Sequence, residues 1–395
     1  MKKVVIAGGM RTPLGKFGGA LSTTPAPQLG AAAIKSALQK SGVRPENVDY
    51  VIMGNVLSAA VGQAPARQAG IAAGIPVTTS ALTVNKVCAS GLTSVVLASQ
   101  AIQLGDADVV VAGGMENMSL APHMLVNSRT GYRMGDIKAI DHMVFDGLWC
   151  PFENRHMGAS AEAIATKYGI TRAEQDAFAL RSHQKAVAAA REGAFAEEIA
   201  PFQVKQKGKV LTIDQDEGPR PDTSLEVLGK LAAAFPPGTT VTAGNAAQIT
   251  DGAAALVVMS ADKATALKVK PMAYITGYSH AAIEPGWLFD APTLAIRKLL
   301  EKTGTRLEDY DLIEANEAFV AQILANGKVL GWDWGKVNVK GGATALGHPI
   351  GASGARILVT LLHSMKQRGA RRGIAAICHG GGGAVALAVE RNGAP

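Results

Sequence analysis

A lone cysteine at the start of a predicted helix is the first candidate for chemistry in this sequence. Cys88 ends the run Val-Asn-Lys-Val-Cys and is followed by Ala-Ser-Gly, where a small-residue helix is predicted over Ser90 to Leu104. Unpaired N–H groups and the dipole at a helix N-terminus favour a thiolate, which is a nucleophile. An isolated cysteine is more often a small buried apolar residue, so the nucleophile hypothesis depends on its partners.

Three further polar residues stand in short motifs later in the chain. His348 lies in Gly-His-Pro, Cys378 precedes a run of four glycines after His379, and Asn316 lies in Glu-Ala-Asn-Glu-Ala-Phe. A histidine activates a cysteine by taking its proton, and glycine backbone N–H groups can approach a ligand as an oxyanion hole. The ordinary alternatives are a structural loop histidine, a flexible turn and an asparagine that caps the next helix. Together these residues are the parts that Cys/His acyl transfer requires.

In their order along the chain, these motifs resemble those of the thiolase family, the coenzyme A-dependent acyltransferases that include acetyl-CoA acetyltransferases. The segments VNKVCASGL, NEAF and GHPIGASGAR carry the resemblance, which spans essentially all 395 residues. It implies that Cys88 carries the acyl group, that His348 is its base and that Cys378 removes a methyl proton from acetyl-CoA. It also implies that Asn316 holds a water that stabilises the enolate with His348. The N–H groups of Cys88 and Gly380 would bind the tetrahedral oxyanion.

The implied reaction is a ping-pong acyl transfer. Two acetyl-CoA would give acetoacetyl-CoA and CoA, and short-chain 3-ketoacyl-CoA would be cleaved in reverse, with CoA as substrate and neither a metal nor a tightly bound cofactor. The resemblance places Arg220 near the nucleotide and Leu148, His156 and Met157 around the acyl pocket. The residues that it places along or near the pantetheine arm are Phe235, Ala243, Ala247, Ala318 and Phe319.

Some residues near these positions depart from the usual family pattern. Ala247 and Gln248 stand where Ser-Gly is common, which removes a hydroxyl from the pantetheine site. Gly383 stands where a bulkier residue is usual, so we expect weak CoA binding and room for acyl groups of about four to six carbons. Two further departures are Leu288, in place of methionine, and His379, in place of an aliphatic residue.

Internal similarity predicts two copies of one α/β unit. In each copy, short β-rich runs alternate with small-residue helices, which predicts a mixed, mostly parallel sheet covered by helices on both faces. The matching segments are 44–55 with 306–317, 89–91 with 352–354 and 109–114 with 375–381. The strands and helices predicted in the first copy are 4–7, 28–40, 50–53, 90–104 and 109–112.

An insertion interrupts the repeat. Residues 120–248 break the alternation and include a helix that begins with a capping box, Thr171 with Glu174. We therefore expect an N-terminal half (1–119 plus 249–268), an inserted loop domain (120–248) and a C-terminal half (269–395). The resemblance implies a duplicated five-layered αβαβα core with the insert covering the site and binding CoA. It also implies a homotetramer, a dimer of dimers, assembled through the segment around 129–143.

Composition limits the class of protein. A chain that is 48% hydrophobic with 45 glycines can bury large cores, and its three scattered cysteines lack metal-ligand spacing and predict no disulfide framework. The net charge of +7 is spread without a basic block, which argues against nucleic acid. No secretory signal or membrane-length apolar stretch is recognised, which favours a cytoplasmic protein without a membrane partner. A basic cluster that would attract polyanionic CoA comprises Lys205, Lys207, Lys209, Arg220 and Lys230.

Three other functions remain as alternatives. A 3-ketoacyl synthase would also use a cysteine with histidines, but it lacks a second catalytic cysteine such as Cys378. A non-catalytic acyl-CoA or lipid-binding protein on a thiolase scaffold would be expected to have lost one reacting group, and none is missing. A dinucleotide-binding module is disfavoured because GGMRTPLGKFGG lacks the required glycine spacing after its strand.

Overall fold

A computed structural model describes residues 2–206 and 208–391 of the chain. Its strands are β1 (Val4–Arg11), β2 (Gly15–Lys16), β3 (Tyr50–Gly54), β4 (Ser80–Val84), β5 (Val109–Asn117), β6 (His123–Leu125), β7 (Ala139–Asp141), β8 (Trp149–Cys150), β9 (Arg155–His156), β10 (Phe202–Gln206), β11 (Lys209–Ile213), β12 (Thr250–Ser260), β13 (Ala273–Ala282), β14 (Leu312–Ala315), β15 (Arg372–His379) and β16 (Gly383–Glu390).

Helices cover these strands. The α-helices are α1 (Ala26–Ser41), α2 (Pro65–Ala72), α3 (Ser90–Leu104), α4 (Met157–Tyr168), α5 (Arg172–Arg191), α6 (Leu225–Gly229), α7 (Ala261–Ala266), α8 (Ala291–Thr303), α9 (Val320–Leu330), α10 (Ala343–Leu346) and α11 (Ser353–Arg368). Short 3-10 segments are Pro45–Asn47, Ser128–Thr130, Pro285–Asp290 and Leu307–Asp309, and Met143–Leu148 forms a π-helix.

The strand order repeats, as the internal similarity predicts. The N-terminal half has the order β4-β3-β5-β12-β1, and the C-terminal half has β14-β15-β16-β13. Val337 bridges Ile313 in parallel at the edge that β4 occupies in the first half. A short antiparallel contact between β1 and β13, with Val5 opposite Tyr274 and Ile6 opposite Ala273, joins the two sheets. The predicted duplication is therefore confirmed.

The prediction of a mostly parallel sheet is wrong. Among the described strands, the parallel pairs are β3–β4, β3–β5 and β14–β15, and helices lie between these strands in the chain. The remaining neighbours are antiparallel, including β15–β16, which are joined by a short glycine turn that is too short for a crossover. In the first half the matching antiparallel pair, β5–β12, is separated by the long insertion. Strand direction thus follows from the connections, which apolar runs do not reveal.

Five layers result from the way the helices cover the sheets. Helices α1 and α2 pack on the outer face of the first sheet, and α8 and α9 pack on the outer face of the second. Helices α3 and α11 lie between the sheets, in an apolar core to which strands of both halves contribute. This is the predicted αβαβα arrangement, which buries most residues of the two central helices.

The two central helices meet near their first turns. A Cβ on Gly91 would lie 2.8 Å from the backbone N of Ala355, and one on Gly354 would lie 2.3 Å from the backbone N of Leu92. Only glycine allows this close approach of two helix backbones. The contact brings the start of α3, which follows Cys88, next to the start of α11, which follows His348.

One segment contradicts the expectation that the chain has no apolar stretch of membrane-spanning length. Val87–Leu104 is long and apolar enough to cross a membrane by length and composition. In the structure it comprises the turn before α3 and the helix itself, which is packed between the two sheets. Its apolar composition is therefore explained by burial in the core.

The insertion folds outside the large sheets. Its strands form three small antiparallel pairs, β6–β7, β8–β9 and β10–β11. The predicted capping box is present, because the Thr171 hydroxyl accepts from the Glu174 N–H and the Glu174 carboxylate accepts from the Thr171 N–H. Of the predicted basic cluster, Lys207 lies outside the described residues.

Candidate active site

Cys88 lies in a tight turn immediately before α3. Val87 has a φ of 47°, in the left-handed region that a β-branched residue rarely adopts. The turn is held because the Ser90 hydroxyl donates to the Val87 carbonyl at 2.6 Å and the Lys86 N–H donates to Ser90 Oγ at 2.8 Å. Such strain costs about 1–3 kcal/mol and persists where the surroundings fix the backbone. It fixes the position of the Cys88 side chain.

The expected thiolate at Cys88 is not favoured in the resting protein. Burial raises the pKa of the Cys88 thiol to about 12, and the negative charge of Glu116 adds to the rise. Hydrogen bonds from the backbone N–H groups of Gly380 and Cys88 lower this pKa, but by less than burial raises it. Desolvation therefore outweighs the hydrogen bonds and the helix N-terminus that favour a thiolate. Cys88 needs a base in order to react.

His348 is held in the form that can act as that base. Its backbone N–H donates to the Gln248 carbonyl at 3.0 Å and to Thr250 Oγ1 at 3.1 Å. The Ser353 hydroxyl donates its one hydrogen to the Pro349 carbonyl at 2.8 Å, so it accepts from Nδ1–H of His348 at 2.6 Å. Nε2 then carries the lone pair, and no described residue is its partner. Burial lowers the pKa of His348 to about 3, which keeps the ring neutral.

Cys378 and Gly380 stand at the β15–β16 turn. Cys378 is buried near the carboxyl end of β15, where it is paired opposite Ala384. Burial raises the pKa of the Cys378 thiol well above its usual value, and the nearby Cys88 adds to the shift. Gly381 and Gly382 have φ values of 86° and 90°, which glycine adopts without strain and which let the backbone turn here. The turn presents the Gly380 N–H to the Cys88 sulfur.

Asn316 does not cap a helix. Helix α9 begins at Val320 with Phe319 at its N-cap, so the Asn316 side chain is free for another role. Both polar atoms of its amide are buried, and neither has a partner among the described residues. Buried amides are normally hydrogen-bonded, so a water or a ligand atom is expected there. This supports the water-holding role that the family resemblance implies.

The predicted site residues converge on three adjoining cavities. One of these cavities is lined by Cys88, His348, Cys378 and Gly380, whereas Asn316 is buried and does not line it. The predicted substrate-binding residues all border this cavity or the two that adjoin it, and they are Leu148, His156, Met157, Arg220, Phe235, Ala243, Ala247, Ala318 and Phe319.

The three adjoining cavities together form a passage to Cys88. Stacked aromatic rings form one wall of this passage. The His156 imidazole stacks on Phe235 with the centroids 4.6 Å apart, and Phe235 meets Phe319 edge-on. At the outer end, the Arg220 backbone N–H donates to His183 Nδ1 at 3.1 Å. The lysines of the predicted basic cluster do not line these cavities in the described part of the chain, and Lys230 pairs with Glu226. Arg220 is the one member of that cluster among the described residues that borders these cavities.

The expected role of Gly383 in widening the acyl pocket is wrong. A Cβ at Gly383 would lie 2.2 Å from Nε2 of His379, so the imidazole fills the space that the missing side chain leaves. His379 is held there because its Nδ1 donates to the Gly380 carbonyl at 2.7 Å. The two departures, His379 and Gly383, compensate for each other. The acyl side of the cavity is bounded by Leu148, Met157, Leu288 and Phe289.

Glu116 is a buried residue near the site that none of the sequence motifs indicates. This buried carboxylate accepts the N–H groups of Val56 and Leu57 at 3.1 Å and of Gly351 at 2.9 Å, together with the Asn55 amide at 2.8 Å. It therefore ties the end of β3 to the loop that carries His348. Burial raises the pKa of its carboxyl to about 7. An acidic residue near the end of the otherwise apolar run of β5 was the available signal. Other unpredicted lining residues are Met118, Gly147, Ile249, Phe289 and Ile350.

Alkylation of Cys88 tests its neutral resting state. Since the raised pKa leaves the thiol protonated at pH 7 and only the thiolate reacts, the rate should rise about tenfold per pH unit from pH 7 to pH 10. The rate is measured with iodoacetamide by peptide mass, and circular dichroism at each pH checks that the protein stays folded. A rate that is constant from pH 6 to pH 9 would show a preformed thiolate instead.

Known proteins are similar to this chain over most of its length. Residues 4–262 match the family described as "Thiolase, N-terminal domain", and residues 269–391 match "Thiolase, C-terminal domain". The acetyl-CoA acetyltransferase of Chromobacterium violaceum is 56% identical over 390 residues, covering 98% of this chain and 100% of that protein. The acetyl-CoA acetyltransferase of Pseudomonas aeruginosa is 54% identical over 393 residues, covering 99% and 100%.

A solved structure gives the same result for the fold. The crystal structure of the Bacillus anthracis acetyl-CoA acetyltransferase superposes with a TM-score of 0.97 at 44% identity, covering 99% of each chain. The similarity therefore extends over both halves and the insertion.

Proposed function

The chain belongs to the thiolase family, and we propose that it catalyses reversible ping-pong acyl transfer between acyl-CoA thioesters. In the synthetic direction, two acetyl-CoA give acetoacetyl-CoA and CoA, and in reverse a short-chain 3-ketoacyl-CoA is cleaved by CoA. The observation that carries this proposal is the convergence of two cysteines, a neutral histidine and the Gly380 N–H on one cavity. A binding protein would not require these reacting groups.

Acylation uses Cys88 with His348 as its base. Nε2 of His348 takes the Cys88 proton while the sulfur attacks the thioester carbonyl, and the N–H groups of Cys88 and Gly380 stabilise the oxyanion. As the tetrahedral intermediate collapses, the carbon–sulfur bond to CoA breaks and the Cys378 thiol protonates the leaving sulfur. The first half-reaction ends with an acyl-enzyme, an imidazolium at His348 and a thiolate at Cys378.

Condensation restores both groups. The Cys378 thiolate removes a methyl proton from a second acetyl-CoA, and the carbanion attacks the acyl carbon on Cys88. Because burial raises the pKa of Cys378, its thiolate is a stronger base than an ordinary one. Asn316, through a water, and His348 stabilise the enolate oxygen. The Cys88 sulfur then leaves and regains its proton from His348, so the proton count balances.

CoA occupies the passage that leads to Cys88. Arg220 lies by the nucleotide, and Phe235, Ala243, Ala247, Ala318 and Phe319 line the pantetheine site, while Leu148, His156 and Met157 bound the acyl end. Residues 120–248 act as a loop domain that covers this passage, between an N-terminal half of 1–119 plus 249–268 and a C-terminal half of 269–395. CoA enters only as a substrate, without a tightly bound cofactor.

Assembly and location complete the proposal. Exposed apolar side chains on and beside the β6–β7 hairpin, such as Leu125, Met134 and Ile137, suit an interface between copies of this chain. We therefore expect a homotetramer, a dimer of dimers, that forms through the segment around 129–143 and acts in the cytoplasm in fatty acid metabolism.

Turnover of acetoacetyl-CoA tests the proposed function. With CoA as second substrate, the purified protein should form two acetyl-CoA per acetoacetyl-CoA, and double-reciprocal plots should give the parallel lines of a ping-pong mechanism. Products are quantified by chromatography. Activity only with carrier-protein thioesters would indicate a 3-ketoacyl synthase, and binding of acyl-CoA without turnover would indicate a binding protein. Either outcome would refute the proposal.

A further inference from the structure

We propose that the side-chain carbonyl of Gln248 accepts a hydrogen bond from an amide N–H of the pantetheine arm of acyl-CoA. This inference rests on the proposed function and adds a substrate-binding residue to it. Gln248 stands where glycine is usual in the resemblance described above, so the contact is made by a side chain of this chain and not by a general feature of the fold.

The position of Gln248 supports such a contact. Gln248 is the one described residue that borders all three adjoining cavities: the cavity of Cys88, the one with Arg220 and Leu228, and the one with Phe235. A ligand that extends from Arg220 to Cys88 therefore runs through cavities that Gln248 borders. The pantetheine arm is the part of acyl-CoA that spans this distance.

Hydrogen bonds fix which way the Gln248 amide points. Nε2 donates to the carbonyls of Gly218 and Ala345 at 3.0 Å and of Thr344 at 3.2 Å. Three carbonyl acceptors around one atom require the NH₂ group there, so the assignment of oxygen and nitrogen is unambiguous. Oε1 is left with no donor within hydrogen-bond distance among the described residues. Because Gln248 borders the cavities, this oxygen is available to accept a hydrogen bond from a ligand there.

The surroundings of Gln248 leave few other acceptors for the ligand. Ala243, Ala247, Leu148 and Phe319 border the same passage and present apolar side chains. A pantetheine N–H that enters this apolar stretch loses its hydrogen bond to water and regains one at Oε1 of Gln248. The hydroxyl that Ala247 removes is thus replaced by the neighbouring amide.

Gln248 also has a structural role, and the experiment must distinguish the loss of that role from the loss of the proposed contact with substrate. Its Nε2 ties Gly218 of the insertion to the turn at Thr344 and Ala345, and its backbone carbonyl accepts the His348 N–H. Replacing the side chain leaves the backbone contact in place but removes both the tie and Oε1. A substrate without amide groups senses only the loss of the tie.

The experiment compares kcat/KM of wild type and Gln248→Met on three thioesters. These are acetoacetyl-CoA, acetoacetyl-pantetheine and an acetoacetyl thioester of a simple alkanethiol, which has no amide. We expect the variant to lose about two- to tenfold on the first two, mainly through KM, and to match wild type on the alkyl thioester. Gln215→Met, an exposed glutamine of the insertion outside the passage, is the control and should match wild type on all three.

An equal loss on all three thioesters would overturn the proposal, because it would show that Gln248 acts only as a structural tie. No loss on any of them would also overturn it. If wild type turns over none of the thioesters, the proposed function fails separately. Calorimetric titration with pantetheine then still decides the inference, since Gln248→Met should bind it about two- to tenfold more weakly than wild type. Equal affinity would contradict it.

Discussion

A Cys378→Ala variant should still accept an acetyl group on Cys88 but should lose exchange of the methyl protons of acetyl-CoA by about 10³-fold. The reason is the separation of roles within one cavity. Nε2 of His348 is proposed to be the base for Cys88, whereas Cys378, near the end of β15, is proposed to remove the methyl proton. Exchange is measured by proton NMR in deuterated buffer, and acetylation is measured by intact-protein mass.

Cys150→Ala is the matched control for that variant. Cys150 is buried and belongs to the same apolar cluster as Cys378, but it does not line the cavity of Cys88. Its replacement should leave the exchange rate within about twofold of wild type, because it removes apolar volume without a reacting group. Exchange in Cys378→Ala at the wild-type rate would assign the base elsewhere, and loss of acetylation in that variant would contradict the separation of roles.

Replacing Cys88 with alanine should reduce the rate of acetoacetyl-CoA thiolysis by about 10⁴-fold or more. Without the sulfur no covalent intermediate forms, and the remaining groups provide only binding and oxyanion stabilisation. The Cys150→Ala variant again serves as the control, and a thermal melt of both variants checks that the fold is kept. A Cys88→Ala variant that retains a tenth of the wild-type rate would exclude covalent catalysis at this residue.

Much of the fold could be predicted because local signals agreed with the tertiary structure. Helix α3 begins at Ser90 and ends at Leu104, as predicted, since the small-residue run is followed by Gly105 in the left-handed conformation at its end. The Ala-Ser-Gly repeat predicted that a second helix would begin at Ser353, and the close contact at Gly91 and Gly354 explains why both copies need glycine.

Properties that depend on neighbours distant in sequence were not predictable in this way. The pKa of Cys88 follows from desolvation of the sulfur in the folded protein, which outweighs the local helix terminus. The space beside Gly383 is filled by the side chain of His379. The sequence does not indicate this contact, because it depends on the pairing of β15 with β16. Strand direction likewise depended on whether a turn or a crossover joins two strands. Glu116 could not be identified from the sequence because its three backbone N–H donors come from two separate loops.

The mass of the intact protein after incubation with acetyl-CoA tests the central claim, that Cys88 carries the acyl group, most directly. Wild type, quenched at acid pH, should gain the mass of one acetyl group, and peptide mapping should place it on Cys88. The added mass should disappear on incubation with CoA, since the acyl group then returns to the thiol. An acetyl group that persists in Cys88→Ala, or that maps to Cys378 or Cys150 in wild type, would contradict the account.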